Sequence, residues 1–256
     1  MESYADELLI SKVRFRELPT PSWQKSVPTR LSPGTTEVWR FCLPSYVDQL
    51  QGLYQLLGTD EKAKSAKFYK EKDRQMFIAG KALLRLLLGK YLNIDSRELS
   101  FISGENMKPS LSKTFSPPIH FNISHSGQCL LIAVSGDEVG IDVEQYENKA
   151  LVKAEMDYLF TNTEISFINN HLSPVKTFYR LWTRKEALLK ATSRGVSDDI
   201  KYLPCLNGTH VIGHTILNSV KNWGVCNFDA DHNYAASIAY TPANKKLIFK
   251  ELNGFK

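Results

Sequence analysis

The chain has 256 residues, 43% of them hydrophobic and 23% charged, and a formal net charge of +5. That composition excludes a disordered or fibrous protein and supplies core material for one large domain or two small ones. The mild basic excess suits an acidic partner or a phosphate-rich ligand, but no basic run with interleaved aromatics marks a nucleic-acid groove.

The first ten residues, MESYADELLI, carry acids where a signal peptide needs positive charge. The longest apolar run, ALLRLLL at 82–88, is short and interrupted by Arg85, so no membrane span is expected and a cytoplasmic protein is. Residues 1–36 are rich in Pro, Ser and Thr and read as an extended N-terminal arm. The globular part is expected from Glu37, with EVWRFCL as a first strand. Helical periodicity without proline covers about Asp60 to Leu92. A polar, proline-containing loop follows over 103–118. IHFNIS and CLLIAVS then read as a hairpin whose turn carries His125 and Gly127. VGIDVE at 139–144 reads as a strand, and TFYRLWTRKEALLKATSRG at 177–195 as a helix stopped by Gly195. Cys42, Cys129, Cys205 and Cys226 lie far apart with no CxxC pair, which argues against zinc and against a disulfide framework.

The pattern recurs. LLGTDEKAKSAKF from Leu56 resembles LFTNTEISFI from Leu159, 103 positions on. KALLR at 81–85 resembles EALLK at 186–190, and CLLIAVS at 129–135 corresponds to YAASIAY at 234–240, both 105 positions on. EVWRFCL and VGIDVEQ fall at a similar spacing. This predicts an α+β fold of two pseudo-symmetric halves, 37–136 and 137–256, and so a monomer. Clefts between such halves are common ligand sites.

Three segments carry chemistry. Strand alternation puts Val139, Ile141 and Val143 on one face and Gly140, Asp142 and Glu144 on the other. Two carboxylates that close repel each other, and a divalent cation relieves the repulsion; magnesium, which keeps waters, needs few protein oxygens. The bland alternative is a strand with acids facing water. In the helix, Trp182, Glu186 and Lys190 form one stripe with Lys185 at its edge, while Leu181, Leu188 and Leu189 can face a core. The bland alternative there is a solvated Glu–Lys pair. FNISHSG at 121–127 sets Asn122, Ser124, His125 and Ser126 at a strand end, where they can donate to an anion. Neighbours in a strand point apart, so Ser124 and His125 are badly placed as a nucleophile–base couple.

FNISHSG, VGIDVE and LWTRKEALLK, in that order, resemble the 4′-phosphopantetheinyl transferase superfamily, specifically its Sfp type, over roughly residues 55–200. The resemblance implies that family's tandem fold. It also implies transfer of the phosphopantetheine arm of coenzyme A to a serine of an apo acyl or peptidyl carrier protein, with release of adenosine 3′,5′-bisphosphate and with Mg²⁺ as the usual metal. Asp142, Glu144 and Glu186 would bind the metal, and Glu186 would be the base for the serine hydroxyl. Lys190 would contact the phosphates. Ser124, His125 and Lys108 would bind the nucleotide, although Met107 stands where the family has a glycine before that lysine. Lys72, Lys81 and Arg85 are further phosphate candidates. Coenzyme A would lie across the junction of the halves, and segment 145–170 would meet the carrier. The type leans toward secondary metabolism; the carrier and pathway stay open. Rival readings are a different magnesium phosphohydrolase or nuclease, a non-catalytic coenzyme A-binding module, and a regulatory scaffold.

Overall fold

The computed structural model describes residues 9–104, 106, 108–147, 151, 153–242 and 246–253. In chain order its elements are β1 (Ile10–Glu17), β2 (Gln24–Ser26), β3 (Thr35–Cys42), α1 (Leu50–Gln55), α2 (Thr59–Ser65), α3 (Glu71–Leu92), β4 (Phe101–Ser103), β5 (Pro109–Leu111), β6 (His120–Ser126), β7 (Cys129–Ser135) and β8 (Val139–Gln145). There follow α4 (Lys153–Leu159), α5 (Asn162–Asn169), α6 (Pro174–Thr192), β9 (Gly208–Gly213), α7 (His214–Leu217), β10 (Trp223–Asp231), β11 (Tyr234–Tyr240) and β12 (Lys246–Leu252).

They form two compact α+β units, with the chain dividing between Asp137 and Glu138. The first unit runs from Ser22 to Asp137 and adds β12; the second runs from Glu138 through β11 and adds the chain up to Pro21. The expected 1–36 arm, described from residue 9, is thus not separate from the two units. β1 lies in the second unit's sheet, parallel to β10 and antiparallel to β9, while β2 lies in the first unit's sheet beside β12. The C-terminal strand, expected in the second half, pairs parallel with β3 of the first. Both segments alternate apolar and polar residues (ISKVRFRE, KLIFKEL) and so have a face to bury in a sheet.

The internal repeat is present element by element. The first unit's sheet has the order β2-β12-β3-β7-β6 and the second's β8-β11-β10-β1-β9. Each contains an antiparallel meander, β3-β7-β6 in one and β8-β11-β10 in the other, with one long helix packed on it. In the first unit Leu83, Leu84, Leu87 and Leu88 of α3 form a core with Trp39, Phe121, Ile132 and Val134. In the second, Ala187, Leu188 and Ala191 of α6 join Val13, Val225 and Ala239. Each fully buried leucine contributes about 1.5–3 kcal/mol of apolar burial.

Three local expectations are refined. The helical stretch from Asp60 is two helices, because the chain turns at 66–70 and Phe68 packs on Phe77 at 5.1 Å. The 103–118 loop begins in a small hairpin, β4 with β5, closed by a Gly104 amide donating to the Lys108 carbonyl at 2.8 Å. Helix α6 starts with Pro174 in its first turn, where the missing N–H is harmless, and ends at Ser193 in the left-handed region (φ 56) before Gly195. No helix among the described residues is long and apolar enough to cross a membrane.

Candidate active site

The strand VGIDVEQ is buried from Val139 to Val143. Its Gly140–Asp142–Glu144 face looks toward α6, and Gly140 sets how near the helix comes. A Cβ at Gly140 would stand 2.1 Å from the Ala187 carbonyl oxygen and 2.3 Å from the Ala191 amide nitrogen. Only a residue without a side chain fits there, so helix and strand meet backbone to backbone. One pleat along, Asp142 receives the Lys190 ammonium, Nζ to Oδ1 2.6 Å, with Asp142 3% and Lys190 30% exposed. Bonds of this charge-assisted kind are short and strong.

Glu186 lies one helical turn before Lys190. Its carboxyl is pushed up to about 7, first by burial and then by the charge of Asp142; Lys190 pulls it down in part, and Glu144 pushes it further up. Burial opposes the charged form of Lys190, but Asp142, Glu186 and Glu144 outweigh it, so its pKa is raised. Asp142, Glu144, Glu186 and Lys190 therefore share one electrostatic neighbourhood. Among the described residues no group of three or more His, Cys, Asp or Glu side chains is gathered tightly enough to hold a metal ion. The three acids are an all-oxygen donor set with excess negative charge, which fits a hard divalent cation that retains waters, without forming a closed cage.

The rest of α6 holds this stripe in place. Thr183 shares a hydrogen bond with Ser237 (2.9 Å), which sits opposite Asp142 in the β8–β11 register. Lys185, read from sequence as the edge of the stripe, is fully buried instead. Its ammonium donates to the carbonyls of Leu159 (2.7 Å), Ile200 (3.1 Å) and Lys201 (3.3 Å) and pairs with Glu164 at 3.3 Å. Glu164 also accepts from the Thr161 amide at 2.9 Å and the Cys205 amide at 3.1 Å. Sequence reading did not single out Glu164, although the capping box Thr161–Asn162–Thr163–Glu164 is legible. Trp182 is half-buried against the apolar clusters around α6.

The candidates of the first unit have different surroundings. Ser124 is buried and His125 exposed, on opposite faces of β6, and each pairs with β7 (Ser124 with Leu131, His125 with Leu130). The hairpin turn is Gly127–Gln128, with Gly127 at φ 56, so His125 belongs to the strand and not to the turn. Lys108 is half-buried at the start of β5, Lys72 is exposed on the first turn of α3, and Met107 lies outside the described residues. So do 148–150 and 152 of the expected carrier segment. Lys81 is half-buried, its ammonium 5.9 Å from the Phe77 ring centre, and burial lowers its pKa.

Arg85, expected at a phosphate, has a structural role. It pairs with Glu61 at 2.7 Å, donates to the carbonyls of Leu99 (2.8 Å) and Ser96 (3.1 Å), and lies over the Phe101 ring. A long cation in an apolar helix face needs such partners once it is buried, and α2 supplies the acid from its first turn, where Glu61 also accepts from the Gly58 amide at 2.9 Å.

A duplicated sheet-and-helix unit, with a part-buried acid–lysine cluster in one copy, defines a tandem α+β protein. Residues 138–239 match the model of the 4′-phosphopantetheinyl transferase superfamily, and residues 43–137 match that of the 4′-phosphopantetheinyl transferase N-terminal region. The two matches meet where the two units divide. Over 206 residues the chain is 31% identical to the 4′-phosphopantetheinyl transferase HetI of Nostoc sp., covering 79% of this chain and 86% of that protein. It is 28% identical over 156 residues to the transferase Sfp of Bacillus subtilis, covering 60% and 68%. To the transferase gsp of Aneurinibacillus migulanus it is 34% identical over 127 residues, covering 49% and 51%. The chain belongs to the 4′-phosphopantetheinyl transferase superfamily and is Sfp-like within it.

Proposed function

We propose that this protein transfers the 4′-phosphopantetheine arm of coenzyme A to a serine hydroxyl of an apo carrier protein, in a Mg²⁺-dependent reaction that releases adenosine 3′,5′-bisphosphate. The serine oxygen forms a bond to the β-phosphorus of coenzyme A, and the bond from that phosphorus to the bridging oxygen breaks. The observation that carries this reading is the Asp142–Lys190 contact on the strand and helix that Gly140 brings together, with Glu186 one turn before Lys190.

Glu186 is the base that takes the serine proton, an assignment that rests on the family resemblance. Lys190 stabilises the charge that develops on the departing diphosphate oxygen, and Asp142 orients its ammonium. Asp142, Glu144 and Glu186 would hold the Mg²⁺, which supplies charge neutralisation to the diphosphate when bound. Ser124, His125 and Lys108 contact the nucleotide portion, with exposed Lys72 a secondary phosphate contact; these assignments rest on the family resemblance. The net charge of +5 suits an acidic carrier. The protein acts as a monomer, because the duplicated unit already supplies paired halves.

The test is incubation with purified apo-carriers of several pathways, coenzyme A and Mg²⁺, read by intact mass. One phosphopantetheine added to a carrier serine is expected from the wild type, and none from Asp142→Ala. Labelling by Asp142→Ala at the wild-type rate would overturn the assignment. Phosphate-ester cleavage without a carrier would favour a hydrolase instead.

A further inference from the structure

In sequence the four cysteines lie far apart, yet the register of the first unit's sheet places two of them directly opposite each other: Cys42 on β3 faces Cys129 on β7. One residue beyond this pair the Leu43 amide donates to the Gln128 carbonyl at 2.9 Å, the bond of a hydrogen-bonded pair at that level. Hydrogen-bonded and non-hydrogen-bonded pairs alternate along an antiparallel ladder, so Cys42–Cys129 is of the non-hydrogen-bonded kind. Cα atoms of such pairs stand about 4.5 Å apart and their side chains share one face. That lies at the short end of the range a disulfide spans, roughly 4.4–6.8 Å. The two thiols also differ in access: Cys42 is exposed, while Cys129 is 6% exposed. Neither is in a disulfide, and neither are the buried Cys205 and Cys226.

We propose that Cys42 and Cys129 form a reversible thiol–disulfide site, with Cys42 the thiol that reacts first and Cys129 the one that resolves it. The co-reactant is a low-molecular-weight disulfide. The Cys42 thiolate attacks it, forming a mixed disulfide and expelling one small thiolate. The Cys129 thiolate then attacks the Cys42 sulfur, forming the cross-strand bond and expelling the second. Two protein thiols lose two electrons and two protons, and the small disulfide gains them as two thiols. An exposed bond across so short a pair belongs to the readily reduced class. The inference rests on register and exposure and is independent of the transferase reading.

The full-length protein is exposed to glutathione disulfide under native conditions, remaining thiols are alkylated, and the digest is read by mass spectrometry. The expected result is a Cys42–Cys129 cross-linked peptide, with Cys205 and Cys226 alkylated only after unfolding and full reversal by dithiothreitol. Cys129→Ser is expected to retain glutathione on Cys42, and Cys42→Ser to form no adduct at position 129. The proposal is overturned if the wild type keeps glutathione on Cys42 while Cys129 remains alkylatable. It is overturned equally by Cys42 linking two chains, or by a folded protein that does not react under conditions where the unfolded chain does.

Discussion

The two units are built on one plan, and each buries an acid on the helix-facing side of a strand, but they neutralise it differently. In the first unit Glu37 is 3% exposed, pairs with Lys250 at 2.7 Å and accepts a hydrogen bond from the Tyr91 hydroxyl. Tyr91 in turn accepts from the Trp39 indole at 2.8 Å. One carboxylate meets one ammonium, and the account closes. In the second unit Asp142, Glu144 and Glu186 all act on the one Lys190 ammonium, which Asp142 contacts, and the pKa of Glu186 is raised, first by burial and then by the Asp142 charge. The structural ion pairs, by contrast, are matched. Glu61 with Arg85 and Glu164 with Lys185 each join a first-turn acid of the preceding short helix, which also accepts from that helix's N-cap amide, to a buried cation of the long helix. What differs between the copies is where the chemistry lies: folding tolerates a surplus buried charge poorly, so a site that keeps one has another use for it.

The largest effect that separates the units is on activity. Asp142→Ala should reduce carrier labelling by more than about 100-fold while circular dichroism stays native, since lost electrostatic stabilisation at a reacting centre typically costs that much. Next comes stability in the first unit. Lys250→Met leaves Glu37 buried without its cation and should lower unfolding free energy by about 3–5 kcal/mol in urea titration. Mutating the second unit should do the opposite. Glu186 has a folded-state pKa above the usual carboxylate value, so its ionised form costs stability above pH 7, and that cost fades as pH falls from about 7 toward the unfolded value. Glu186→Gln should therefore raise the unfolding free energy of the metal-free protein at pH 8, by an amount on the order of 1–3 kcal/mol read from urea titration, and hardly at pH 5. Mg²⁺ should stabilise the wild type more at pH 8 than at pH 6. The smallest effect is expected from exposed Lys72→Ala, a modest rise in the KM for coenzyme A with little change in kcat.

Much of this was legible in sequence because period and spacing carry it. The 103- and 105-residue offsets announced the duplicated plan, and the alternation in VGIDVE placed Asp142 and Glu144 on one face of the strand, which in the structure meets α6. The role of Gly140 was not legible, because backbone contact with Ala187 and Ala191 depends on which helix crosses that strand. Arg85 and Lys185 look alike on paper as cations on long helices; only their contacts with the first-turn acids Glu61 and Glu164 identify them as buried structural partners. The parallel pairings of β1 and β12 escaped for a similar reason, since register between distant segments is set by tertiary packing. The same limit hid the Cys42–Cys129 pairing.

The central claim is that the surplus charge around Glu186 serves a cation-dependent transfer. The most direct measurement is carrier labelling by wild type, Glu186→Gln and Asp142→Asn, each with Mg²⁺ and with a chelator. The account predicts labelling by the wild type with Mg²⁺ and by no other combination. Equal labelling in the presence of the chelator, or by either variant, would contradict it.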